Sequence, residues 1–263
     1  PQRLGDRSGD VPTVELNSSK GSVSVETYGQ GYEYTLMEVN KAQEMAQRSR
    51  SAAINFLAEK ANAARQATEH FLDEAFFIGD AQDQASDIQH GLLNDADVPT
   101  ASTGQFLPGG TDKTIDTILN GGDPDVVANE LLQLFNQSIE EVRVNQTNTI
   151  YRPTHILLPP LQLGKMRTFR IPNTAETLIS YLERVLNIAF DELIHLQGLG
   201  ASGNDRMMVY TRDEKFVKGH MPHSFALQAP ATKDNLTFTS AGLVRIAGTE
   251  LRIPKMHLYV DNV

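Results

Sequence analysis

Gly198-Leu199-Gly200-Ala201-Ser202-Gly203 has the GxGxxG spacing that lets a backbone turn approach a pyrophosphate at a helix N-terminus. That chemistry needs a strand before the turn, a helix after it and an acidic residue placed for the ribose. Here Asn204-Asp205 follows, then the strand-like Met207-Met208-Val209-Tyr210. A loop between strands is expected instead, with no cofactor. Asp191-Glu192-Leu193-Ile194-His195 has the look of a zinc helix, but such a site uses two histidines one turn apart, and His195 has no such partner. His220 and His223 flank Pro222, which argues against a regular helix, and no metal is expected there. His70, His90, His155 and His257 are scattered and are expected as surface or locally bonded residues. Neither a Gly-x-Ser-x-Gly elbow nor a phosphate loop ending in Gly-Lys-Ser/Thr occurs. No catalytic residue is assigned, and the chain reads as a non-enzyme.

The bulk composition narrows the classes further. The 263 residues are 40% hydrophobic and 21% charged, an ordinary globular balance with room for one large domain or two smaller ones. Cysteine is absent, which removes disulfides, thiolate nucleophiles and iron–sulfur clusters and suits a reducing cytoplasm. No apolar run approaches the ~18 residues of a membrane span, and no charged-then-apolar leader stands at Pro1, so a soluble, non-secreted protein is expected. A formal charge of −10 opposes tight phosphate binding, and the basic stretches at Arg48–Arg50 and Lys165–Arg170 are short.

What remains is architecture. Val11–Asn17 and Ser22–Tyr28 both alternate, with Val14 and Leu16 on one arm and Val23 and Val25 on the other, and Ser18-Ser19-Lys20-Gly21 supplies the turn. A hairpin alone in water is marginal, so this one is expected to lie on another surface. From Glu38 to Phe76 small and apolar residues recur at intervals of three and four, predicting a long helix that would span roughly 60 Å if unbroken, with Ala58–Ala63 a plausible place for a break. Gly79 to Gly110 reads as a polar connector. Asp123-Pro124 opens a helix whose buried face is Val126, Val127, Leu131, Leu134, Phe135, Ile139 and Val142. Ile156-Leu157-Leu158 is a buried strand stopped by Pro159-Pro160, and Thr174 is the expected cap of a helix with Leu178, Leu182, Val185 and Leu186 inward. Short strands are expected at Met207–Thr211, Phe225–Gln228, Leu236–Thr239, Leu243–Ala247 and Glu250–Ile253, with Ala247-Gly248-Thr249 as the last tight turn. Without strict βαβ alternation, the class is α+β.

This order of elements resembles the major capsid proteins of tailed bacteriophages, whose Hong Kong 97-type fold is shared by encapsulins. The likeness rests on the hairpin passing through Tyr28-Gly29-Gln30-Gly31-Tyr32-Glu33-Tyr34 into the long helix, and on Glu74–Asp80 followed by Gly91-Leu92-Leu93-Asn94. It continues through Pro153–Pro160, Arg206–Tyr210, Pro222, Pro230 and Gly248–Pro254, so it covers nearly the whole chain. The resemblance implies an N-terminal arm and extended hairpin loop over 1–37, a spine helix and peripheral domain over 38–115, an axial domain over 116–235, and closing strands over 236–263. It implies a shell-forming virion protein that self-assembles through pentamers and hexamers in the host cytoplasm. The shell would enclose double-stranded DNA by weak non-specific contact, with scaffolding, portal or decoration proteins as further partners and no membrane. Val14, Leu16, Lys20, Val23 and Val25 become candidate subunit-interface residues, Lys20 because some relatives form an isopeptide link at that tip. Open alternatives are an encapsulin-type nanocompartment, an accessory virion protein, and a soluble α/β enzyme with a deep polar pocket.

Overall fold

Ile156-Leu157-Leu158 is apolar at every position because both faces of its sheet are covered, and it pairs with a strand on either side. The computed structural model describes residues 23–48, 56–80, 88, 90–171 and 175–263. In chain order it contains β1 (Glu26–Thr35), α1 (Leu36–Arg48), α2 (Phe56–Phe77), β2 (Thr100–Ser102), α3 (Ile115–Leu119), α4 (Pro124–Glu140) and β3 (His155–Leu158). There follow α5 (Pro160–Thr168), α6 (Leu178–Leu186), β4 (Ala189–Glu192), β5 (Arg206–Tyr210) and β6 (Val217–Gly219). The chain then forms β7 (His223–Leu227), β8 (Ala231–Asp234), β9 (Thr237–Ile246), β10 (Thr249–Leu251) and β11 (Leu258–Asp261).

Five strands form one sheet in the order β2-β11-β5-β3-β4. Its two faces are read directly from alternation. Ile156, Leu158, Met207, Val209, Leu258 and Val260 face a core shared with α3 to α6. Leu157, Met208, Tyr210 and Tyr259 face a second core with Leu92, Leu93, Val98 and Leu196. The first core includes an edge-to-face pair, Phe135 on Phe190, with ring centroids 5.1 Å apart.

A second sheet pairs β1 with β9 over ten residues, Glu26 opposite Ile246 through Thr35 opposite Thr237, while β7 and β8 also pair with β9. Helix α2 covers this sheet, burying Ala75 against Val244 and Ile246, with Phe71, Leu72 and Phe76 around them. A two-stranded pairing of β6 with β10 sits between the two sheets in the chain order.

Several local expectations are met for the reasons given. The Asp123 carboxylate accepts from the Asp125 amide and Pro124 occupies the first turn of α4, whose Val127, Leu131, Leu134, Phe135 and Ile139 are buried. Gly248 turns β9 into β10 at φ 75°, where an added Cβ would lie 2.9 Å from Ile88 Cγ2.

Others are corrected. Val126 and Val185 are exposed, because the buried stripes of α4 and α6 are narrower than the apolar patterns in their sequences. The cap of α6 is Thr177, and Thr174 lies outside the described residues. Leu236–Thr239 and Leu243–Ala247 are not two strands: β9 runs unbroken from Thr237 to Ile246, Gly242 being needed where Phe225 presses on the backbone. Helix α2 passes through Ala58–Ala63 without a break, and its 22 residues span roughly 33 Å. The expected hairpin arm is corrected as well: Glu26, Thr27 and Tyr28 pair with Ile246, Arg245 and Val244 of the same chain, and the strand continues to Thr35. Residues 11–22, including the other arm and its turn, lie outside the described residues.

Candidate assembly surface

The β1–β9 ribbon lies along α2, from Tyr28 on Phe71 to the Lys60 ammonium, which donates to the Glu33 carbonyl, and side chains pair along its length. Tyr32 stacks with Tyr34 and Tyr34 with Phe238, at centroid distances of 6.3 and 5.3 Å. Glu33 meets Lys233 at 2.6 Å across the sheet, and that hydrogen bond draws the carboxyl below its ordinary range and the ammonium above its own. Where β1 turns into α1, Thr35 and Glu38 form a reciprocal capping box: the Glu38 amide donates to Thr35 Oγ1 and the Thr35 amide to Glu38 Oε2. The Thr35 amide, then the Lys60 ammonium at 3.2 Å, hold the Glu38 carboxyl below its usual range.

This end of the ribbon is also apolar. Leu36, Met37 and Leu236 are 44, 68 and 55% exposed, and the Leu36 amide donates to the Leu236 carbonyl, so they share one tip. These three side chains face solvent at one end of the ribbon and serve none of the described cores. Of the sequence-derived interface residues, Val23 and Val25 are exposed and lead into β1. Val14, Leu16 and Lys20 lie outside the described residues. The tip residues Leu36, Met37 and Leu236 escaped sequence reasoning, since each reads as part of an ordinary apolar pattern.

The ribbon's base is fixed to the five-stranded sheet by a joint at the end of α2. The Leu92 and Leu93 amides donate to the Phe76 and Phe77 carbonyls, and Asn94 Nδ2 to the Ile78 carbonyl. Gly91 is required because any Cβ there would fall on the backbone of Phe77 and Ile78. Arg206 and Asp261 form a buried two-pronged ion pair, at 2.6 and 3.2 Å, and the guanidinium also donates to the Leu93 carbonyl. Tyr259, beneath that guanidinium, donates to the Leu92 carbonyl, and burial pushes its phenol far up.

The residues that suggested chemistry are dispersed or occupied. In the GxGxxG segment the Gly198 amide donates to Asp205 Oδ1 and the Ala201 amide to Asp261 Oδ2, so the chain's own carboxylates take the anion's place. The next element is the strand β5, as expected. Asp191, Glu192 and His195 turn to three different partners: Arg212, Arg167 and Asp73. His220 bonds Glu250 and His223 bonds the Ser224 carbonyl, so the two do not converge. His257 is corrected: it is wholly buried, and neither ring nitrogen has a partner. Among the described residues no group of three or more ligating side chains is arranged for a metal, and no helix is long and apolar enough to cross a membrane. A cavity of about 590 Å³ beside the joint has an apolar floor of Phe77, Leu92, Leu157 and Tyr210 and a rim of ion-paired side chains.

The two-faced sheet, the covering helix and the paired ribbon agree with the Hong Kong 97-type fold that the order of elements in the sequence resembles, that of shell-forming capsid proteins. Solved structures agree at the level of fold. The capsid of Myoviridae phage XM1 superposes with a TM-score of 0.73 at 12% identity, covering 92% of this chain and 74% of that one. The satellite phage P4 procapsid gives 0.53 at 14% identity, over 99% and 78% of the chains. A virus-like particle from Pyrococcus furiosus gives 0.53 at 11% identity, over 92% and 78%. No curated protein matches in sequence. The family model for the major capsid protein matches residues 2–263, and the chain belongs to that family. It is a structural, self-assembling component of the virion.

Proposed function

We propose that copies of this chain close an icosahedral phage head around double-stranded DNA, the shell being assembled in the bacterial cytoplasm. The observation that carries the reading is the β1–β9 ribbon: it is braced by Glu33–Lys233 and the Thr35–Glu38 box, yet its tip exposes Leu36, Met37 and Leu236. Bracing an apolar tip in water stabilises nothing within one chain and favours burial on another. At ~25 cal/mol per Å² of apolar surface, even a small overlap gives several kcal/mol per contact, repeated over a closed shell.

In this reading 1–37 forms the arm and extended loop, 38–115 the spine helix and peripheral domain, 116–235 the axial domain and 236–263 the closing strands. The pairing of β8 with β9 ties the last two together, so the boundary at 235 is one of topology and not of separate folding. Val14, Leu16, Lys20, Val23 and Val25 lie on a neighbouring copy, within pentamers and hexamers. A charge of −10 keeps DNA contact weak and non-specific, which suits packaging and release. Scaffolding, portal and decoration proteins are the remaining partners, and the chain's work is assembly, not catalysis.

Negative-stain microscopy of the purified protein tests this. Closed polyhedral particles are expected, with nuclease-resistant DNA in those recovered from infected cells. Small discrete oligomers alone would overturn the shell reading, and enzyme cargo in place of nucleic acid would move it to a nanocompartment.

A further inference from the structure

Alternation along β9 and β10 sorts their side chains between two sides. Val244 and Ile246 pack toward α2, so Arg245 stands on the opposite side. Gly248, at φ 75°, resets the alternation: the Thr249 hydroxyl donates to the Phe76 carbonyl, and Leu251 packs on the second core. Glu250 and Arg252 therefore share the side of Arg245. On the facing strand, Val217 packs on the second core and a Cβ at Gly219 would touch Phe76, which leaves Lys218 and His220 on that same side. The contacts agree: His220 Nε2 is 2.7 Å and Arg252 Nε 3.5 Å from the Glu250 carboxylate. Lys218 lies opposite Glu250 and diagonal to Arg252, a separation of roughly 7–8 Å. Arg245 has Thr27 and His223 as cross-strand neighbours. Among the described residues neither Lys218 nor Arg245 enters an ion pair.

Lys218, Arg245 and Arg252 thus share one face with the Glu250 carboxylate, and Glu33, farther out on it, is matched by Lys233. Exposed Gly29, Ala226 and Ala241 continue this face and keep it low. The other side has the reverse sign. Helix α2 buries Ala64, Thr68 and Ala75 toward the sheet and turns Glu59, Glu69 and Asp73 to solvent, with Arg65 beside them. The charge of −10 is therefore unevenly spread. We infer, building on the shell reading, that the face carrying Lys218, Arg245 and Arg252 is where duplex DNA touches the protein, held by its phosphates and without base readout. Such contacts are independent of sequence and sensitive to salt, and so few of them give contact without tight adhesion. The acidic side of α2 repels the same ligand.

The test is fluorescence anisotropy of a short labelled duplex of mixed sequence, titrated with the unassembled full chain at several salt concentrations. Weak binding that fades as salt rises is expected. Lys218→Gln/Arg245→Gln/Arg252→Gln should weaken it about tenfold or more at low salt and reduce the salt slope by about 3. Glu250→Gln should strengthen it, and Lys41→Gln/Arg65→Gln, on the helices, should leave it unchanged. Circular dichroism checks that each variant folds. No binding by the native chain at low salt, a native slope in the triple variant, or an equal loss in the helix variant would overturn the assignment. Binding of poly-glutamate as tightly as DNA would overturn it too. Sedimentation reads shell formation separately, so shells from a chain that binds no duplex would remove this face and leave the shell reading standing.

Discussion

His257 provides the sharpest stability prediction. It follows the short turn Pro254–Met256 and immediately precedes β11, has no exposed surface, and neither ring nitrogen finds a hydrogen-bond partner. Burial pushes its pKa from 6.5 down to about 4. An unfolded chain thus binds a proton at this residue between those values while the folded chain does not, so stability falls as pH drops through the interval and is complete above it. The full difference of roughly 2.5 pKa units corresponds to about 3 kcal/mol. Replacing His257 by Leu removes both the titration and two unpartnered polar atoms, and should be neutral or stabilising at pH 7.5. The assay is thermal or urea unfolding followed by far-ultraviolet circular dichroism at pH 7.5, 6.5, 5.5 and 4.5. The difference between native and His257→Leu chains should widen in the variant's favour by about 2 kcal/mol or more across that range. Working above pH 4.5 avoids most of the loss from the lowered carboxyls of Glu33, Glu38 and Glu250. Parallel pH profiles for the two chains would refute the reasoning.

Arg206→Met leaves Asp261 buried without its counter-charge, keeping only the Ala201 amide, and a loss of about 3 kcal/mol is expected in denaturant unfolding. The double variant Arg206→Met/Asp261→Leu should recover part of it. Gly91→Ala forces the joint open at Phe77 and Ile78, and should cost about 1–3 kcal/mol and raise proteolysis near the end of α2. Met37→Ser with Leu236→Ser should change the stability of the single chain by less than about 0.5 kcal/mol. The same pair should sharply reduce particle yield in sedimentation, and unchanged yield would remove the tip from the assembly surface.

The parts of the fold that were legible in sequence are those where burial is periodic. The apolar run at Ile156–Leu158 and the stripe of Val127, Leu131, Leu134 and Phe135 in α4 each announce their element because one structural period governs every position. β8 was invisible for the opposite reason: all four of its residues are exposed, so no alternation marks it, and pairing with β9 alone makes it a strand. β9 was divided in two because Ser240-Ala241-Gly242 looks like a turn, whereas the small residues there admit Phe225 and the neighbouring β1 backbone. The ion pairs near the joint had no local signal, since Arg206 and Asp261, or Asp73 and His195, become neighbours only through tertiary folding, whereas Gly91-Leu92-Leu93-Asn94 was visible as a motif. The family resemblance worked where these local cues failed, because order of elements survives when individual residues change.

The position of β11 has a kinetic consequence. It lies between β2 and β5, with Tyr259 beside Thr100 in parallel and beside Met208 in antiparallel register. Both large cores include side chains of this strand, and its pairing joins residues as far apart in sequence as Thr100 and Tyr259. Such distant closure carries a high entropic barrier and comes late in folding. Leu157 and Met208 share their core with Tyr259 of this strand, so slow refolding and aggregation that rises with chain concentration are the expected outcome in a refolding assay.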